Sequence, residues 1–74
     1  MNGQTLRQRR LAAGIAGTLL SKRARIDRAR LSHIERGYVE PSSSEVERIQ
    51  RAIEDLTQAR ALVAARAAEV GWPM

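Results

Sequence analysis

Gly14-Ile15-Ala16-Gly17-Thr18-Leu19-Leu20 opens a stretch that runs on to Leu31-Ser32-His33-Ile34-Glu35-Arg36-Gly37, and its reading decides the fold. Apolar residues return in it at helical spacing, in two short segments joined by a tight connection. The first is expected to be a helix from about Gly17 to Ala24, with Leu20 and Ala24 on one face. The second should start at an Asp27 N-cap and run to Arg36, where Gly37 stops it.

Outward from this stretch the chain reads as helix throughout. Nothing alternates polar and apolar for long, Phe is missing and β-branched residues are scattered. A preceding helix should span about Thr5 to Ala13, with Thr5 as N-cap and Gly14 at C′. Tyr38 to Pro41 form a connection, and Pro41-Ser42-Ser43-Ser44 signals a new start. Glu45 and Glu47 then sit in a first turn, where the helix dipole favours acids. From Glu45 to Val70 there is neither glycine nor proline, and Gly71 and Pro73 supply the stop.

That last segment carries two apolar stripes, Val46, Ile49, Ile53 and Leu56, then Ala59, Leu62, Val63, Ala67 and Val70. As one helix it would be ~39 Å long, against a compact radius of gyration of ~11 Å for a chain of this size. Either it breaks near Thr57-Gln58 and folds back, or another chain covers the second stripe. The small residues from Ala59 to Ala68 allow close helix approach. Self-association is therefore expected through Leu56, Ala59, Leu62, Val63, Ala67 and Val70, with Trp72 as anchor.

Composition removes several function classes. With no cysteine and one histidine among 74 residues, disulfides, thiolate metal sites and multi-histidine zinc sites are excluded, so no metal is expected. No apolar run approaches ~18 residues, and Met1-Asn2-Gly3-Gln4 lacks a secretory apolar region. A cytoplasmic protein without membrane contact is expected. No nucleophile–base pair, carboxylate pair or cofactor loop is present, so neither an enzyme nor a cofactor is expected.

Charge points to a polyanion. Residues 1–40 hold nine Lys/Arg against three acids, whereas residues 41–74 hold four against five. The positive excess therefore lies with the short helices. Twelve of the thirteen cations are arginine, whose planar fork suits phosphates and guanine edges.

Within the Asp27–Arg36 helix, setting Leu31 at zero places Ile34 near ~300° and the apolar centre near ~330°. Ala29, Ser32, His33 and Arg36 lie around the opposite side, with Arg28 and Arg30 at its edges. Small central residues with cations at the rims suit entry into the DNA major groove. A solvated charged face would show the same pattern. Glu35 lies only ~70° from the apolar centre, and a half-buried acid needs a cation. Arg10 is the natural partner, while Arg36 or water could serve a surface carboxylate.

Arg10, Gly14, Leu20, Leu31, Ile34-Glu35-Arg36-Gly37 and Pro41-Ser42 together resemble the lambda-repressor-like (Cro/XRE-type) helix-turn-helix regulators, over residues 5 to about 53. The resemblance implies five helices, an Arg10–Glu35 ion pair, the third helix in the major groove and a dimer on a palindromic operator. It also implies that Arg28, Ala29, Ser32 and His33 face bases, while Arg10, Arg36, Gly37 and Tyr38 lie near phosphates. Arg30 joins the base candidates by its position on the helix. Arg7, Thr18 and Lys22 join the phosphate candidates, although Arg7 and Lys22 are equally plain surface charges.

Three departures stand out. Gly17 replaces a customary glutamine that helps clamp a phosphate. Arg25 replaces the turn glycine, which either widens the turn or holds an arginine at positive φ. The fifth helix is fused into a long fourth one.

The expected architecture is an all-α, compact helix-turn-helix bundle of four to five helices with a long C-terminal helix. Residues 1–56 form the DNA-binding unit and residues 57–74 a self-association or partner-binding extension. The expected function is a small phage- or prophage-type repressor that occupies double-stranded operator DNA as a homodimer. An antitoxin or adaptor that binds a second protein through the last helix is the alternative, and non-specific nucleoid binding is a third.

Overall fold

The computed structural model describes residues 2–69, with side chains through residue 60 and at residue 62. Four helices occupy them: α1 (Gly3–Ala12), α2 (Gly17–Ala24), α3 (Arg28–Glu35) and α4 (Ser43–Glu69). Leu6 of α1, Leu20 and Ala24 of α2, Leu31 and Ile34 of α3, and Ile49 and Ile53 of α4 meet in one buried core. Each comes from the apolar stripe of its own helix, and removing those stripes from water drives the assembly.

The start of α1 differs from expectation. Asn2, not Thr5, is the N-cap: its Oδ1 accepts from the Thr5 backbone N–H at 2.8 Å and from the Thr5 hydroxyl at 3.0 Å. Asn caps at least as well as Thr, so the helix begins earlier. The added turn brings Gly3 against the last turn of α3, where a Cβ would overlap the Ile34 carbonyl oxygen. Only glycine permits that approach.

The three short helices end alike. The N–H of the residue after the left-handed one closes a six-residue loop onto the last turn: Ile15 to the Arg10 carbonyl at 3.1 Å, Ile26 to Ser21 at 3.0 Å and Tyr38 to His33 at 2.9 Å. This closure requires a left-handed residue just before the donor. Gly14 (φ 69°) and Gly37 (φ 79°) supply it at two ends, and Arg25 (φ 57°) at the third. The turn between α2 and α3 is thus tight, and Arg25 carries the strained backbone.

Nor does α4 break at Thr57-Gln58. It runs unbroken for 27 residues, and the Thr57 hydroxyl donates back to the Ile53 carbonyl at 2.7 Å within the continuing helix. The fifth helix implied by the resemblance is not a separate element among the described residues, because no glycine or proline interrupts the segment. Arg60 holds α4 to the body, donating to the Ala13 and Gly14 carbonyls at 2.7 and 3.1 Å. Beyond Arg60 the helix projects. The molecule measures 46 × 19 × 18 Å with a radius of gyration of 14.0 Å, above the ~11 Å of a compact chain this long.

Candidate nucleic-acid interface

The α2–turn–α3 unit is built from local capping. The Asp27 carboxylate accepts from the Ala29 and Arg30 backbone N–H groups at 3.1 and 3.4 Å, which fixes the start of α3. Leu31 and Ile34 are fully buried, and Glu35 retains 5% of its exposure. Arg28, Ala29, His33 and Arg36 are exposed on the other side, with Ser32 half-buried among them.

Glu35 is held by a fork. Arg10 Nε lies 2.8 Å from one carboxylate oxygen and Nη2 2.9 Å from the other, while Nη1 donates to the Ile15 carbonyl at 2.8 Å. All three nitrogens point inward, so the guanidinium is spent on positioning. The phosphate contact also expected of Arg10 finds none of these three nitrogens free of a partner within the chain.

A second fork holds the other edge of α3. Arg30 Nε and Nη2 donate to Glu45 at 3.0 and 2.9 Å, and Nη2 reaches the Glu40 carbonyl at 3.5 Å. Glu45 also closes a capping box at the start of α4, accepting from the Ser42 N–H at 2.9 Å while Ser42 Oγ accepts from the Glu45 N–H at 3.1 Å. The Arg30 fork, then the Ser42 N–H, pull the Glu45 carboxyl down to about 2, and Glu45 raises the Arg30 pKa. Arg30, expected among the base-facing residues, therefore leans toward α4. The Ser42-x-x-Glu45 spacing was the sequence signal for this carboxylate.

Arg28 turns toward α2. A Cβ on Gly17 would lie 2.9 Å from Arg28 Nη2 and 3.0 Å from Cζ, so the guanidinium occupies space that any side chain at position 17 would claim. The α2 N-terminus beside it has no side-chain cap and no acid in its first turn. Unsatisfied N–H groups, the exposed Thr18 and a guanidinium thus converge where an anion would be stabilised.

A family model described as helix-turn-helix matches residues 6–59, more than half of the chain. The chain belongs to the lambda-repressor-like helix-turn-helix family. It is accordingly a DNA-binding regulator, from a family that is generally non-enzymatic. No curated protein and no solved structure matches it.

Within this helix-turn-helix frame the remaining candidates fall into separate places. Arg7, Arg36 and Tyr38 share a groove between α1 and the end of α3. Tyr38 is 69% exposed, and its ring lies 6.0 Å from that of His33. Gly37 is exposed between them. Lys22 stands apart, in the last turn of α2 beside Arg25, Arg48 and Arg51.

The expected self-association residues also divide. Leu56 packs half-buried against the core of its own chain. Ala59 is exposed, and Leu62 is 64% exposed. Val63 and Ala67 lie in α4 with side chains outside the description, and Val70 and Trp72 lie outside the described residues. Among the described residues no helix is long and apolar enough to cross a membrane, and no cluster of His, Cys, Asp or Glu could hold a metal.

Proposed function

We propose that this regulator is a repressor of the small phage or prophage type, acting by occupying its operator. One observation carries the reading: α3 buries Leu31, Ile34 and Glu35 while Arg28, Ala29, His33 and Arg36 remain open to solvent. A helix so held can enter a major groove with small residues central and cations at its borders. The uncapped α2 start with Thr18, and the Arg7–Arg36–Tyr38 groove, would bracket it on phosphates. Two copies on a palindromic operator would place two α3 helices one helical turn apart, ~34 Å. The projecting end of α4, within residues 57–74, is the segment we assign to pairing. DNA as ligand places the action in the cytoplasm, with the nucleoid.

Selecting bound sites from a random DNA pool tests this directly, because half-site, spacing and symmetry emerge together. Arg28→Ala should weaken operator binding and relax preference at one base pair by ~1–3 kcal/mol. Unchanged affinity and unchanged preference in a gel-shift series would sink the assignment of α3.

The exposed Leu62 on a projecting helix favours a second reading, in which α4 holds a different protein, as in an antitoxin or adaptor. A small protein that co-purifies stoichiometrically and is lost on Leu62→Arg would favour that alternative over self-pairing.

A further inference from the structure

At the C-terminal end of α2 an open cleft of about 620 Å³ separates that helix from the middle of α4. Lys22, Arg23, Arg25, Arg48 and Arg51 line it, with Asp55 as the one acid. Two of these cations are engaged: Arg23 lies 3.3 Å from Asp55, and Arg48 donates to the Arg25 carbonyl at 3.1 Å. Lys22, Arg25 and Arg51 are exposed, and none forms an ion pair with a described residue. Like charges gathered this way repel one another.

Arg25 adds an independent observation. Its left-handed backbone position is filled by glycine in the other two turns of the same geometry. Strain retained at a residue that also points a cation into a cleft is the pattern of a functional site.

We propose that this cleft is a second polyanion site, binding consecutive phosphate groups. Among the described residues its apolar lining is Ala24 and Ala52, and none of them offers an aromatic face to stack a base or nucleoside. Recognition is therefore of phosphate alone, without sequence preference. The cleft lies ~12 Å along α2 from Gly17, so a phosphate held here is distinct from one at the α2 N-terminus. Two sources share this chemistry: the backbone of DNA beyond the operator, or a free oligophosphate. The site does not depend on operator occupancy being the mode of action.

Tripolyphosphate titrated into the full chain, followed by amide NMR shifts, is the direct test. Shifts should concentrate at residues 22–25 and 48–55. The double variant Arg25→Gly, Arg51→Gln should bind at least about tenfold more weakly, since two charge-assisted contacts go. Arg25→Gly relieves the left-handed strain, and a thermal melt will verify that the variant stays folded. Equal binding by both proteins, or shifts confined to Gly17 and Arg28, would overturn the proposal.

A second arm distinguishes the source, using a duplex of operator length and one extended on both sides. If flanking DNA is the ligand, the variant's salt slope falls by ~0.9 per lost phosphate on the long duplex and stays unchanged on the short one. If slopes match on both while tripolyphosphate binding is lost, a free oligophosphate is the ligand. Failure of either duplex to bind would count against operator occupancy and leave the tripolyphosphate result standing.

Discussion

The two edges of α3 are held by the same chemistry in different surroundings. Arg10 grips Glu35 and Arg30 grips Glu45, each through two short hydrogen bonds from Nε and Nη2. The Arg10–Glu35 pair has side-chain exposures of 11% and 6%, the Arg30–Glu45 pair 41% and 13%. In the first, water cannot replace a lost partner. In the second, the arginine can resolvate, and the carboxylate keeps its other task of closing the start of α4. One fork is thus a condition of folding, while the other trims the angle at which α3 meets α4.

Breaking the buried fork should have the largest effect. Arg10→Met leaves a buried carboxylate without a cation and the Ile15 carbonyl without its donor, at a cost of about 3–5 kcal/mol. For a domain this small that is most of the stability. Urea titration should show a largely unfolded chain, and adding Glu35→Leu should restore much of the loss. Little change in the single variant would mean that the pair is not isolated from water.

The exposed fork should break more gently. Glu45→Gln removes the charged half of the capping box, costing about 1 kcal/mol, and frees the Arg30 guanidinium. A melting temperature equal to wild type would show that the Glu45 charge contributes nothing to the start of α4.

Acid should sharpen the contrast. The folded-state pKa of Glu45 is depressed from an ordinary 4.5 to about 2. The stability it contributes is complete above the ordinary value and disappears as pH falls through the folded one. The melting-temperature gap between wild type and Glu45→Gln should hold from neutral pH down to about 4.5 and close as the pH approaches 2. A gap independent of pH would mean that the carboxylate charge is irrelevant to the difference.

The last effect should have the opposite sign. Arg25 has no carboxylate partner among the described residues, and its φ of 57° suits glycine. Arg25→Gly should stabilise the chain by about 1 kcal/mol, read as a rise in melting temperature. A fall would show that the Arg25 side chain supports the fold through contacts its exposure conceals.

Much of the α3 arrangement was legible before any coordinates, for a local reason. A helix repeats every 3.6 residues, so the identities of residues 28–36 state which side is apolar, and Glu35 beside Leu31 implies a nearby cation. Asp27, Gly14 and Gly37 likewise mark boundaries through capping rules that operate within a few residues. Asn2 was missed because two competent caps stand close together in sequence. The sequence marks Glu45 as a dipole-favoured acid, and its grip on Arg30 is not legible there. That contact depends on the angle at which α4 crosses α3, which no local pattern encodes.

What the chain by itself determined is therefore the set of helices, their apolar stripes and the clustering of arginine in the first forty residues, all consequences of short-range periodicity and composition. Tertiary structure alone decided that Arg60 ties α4 to the end of α1, and that Arg28 leans on Gly17 while Arg30 turns to Glu45. Those outcomes rest on which long side chains meet across helices far apart in sequence. An arginine's reach of several ångströms allows many partners, and only the packed geometry selects one.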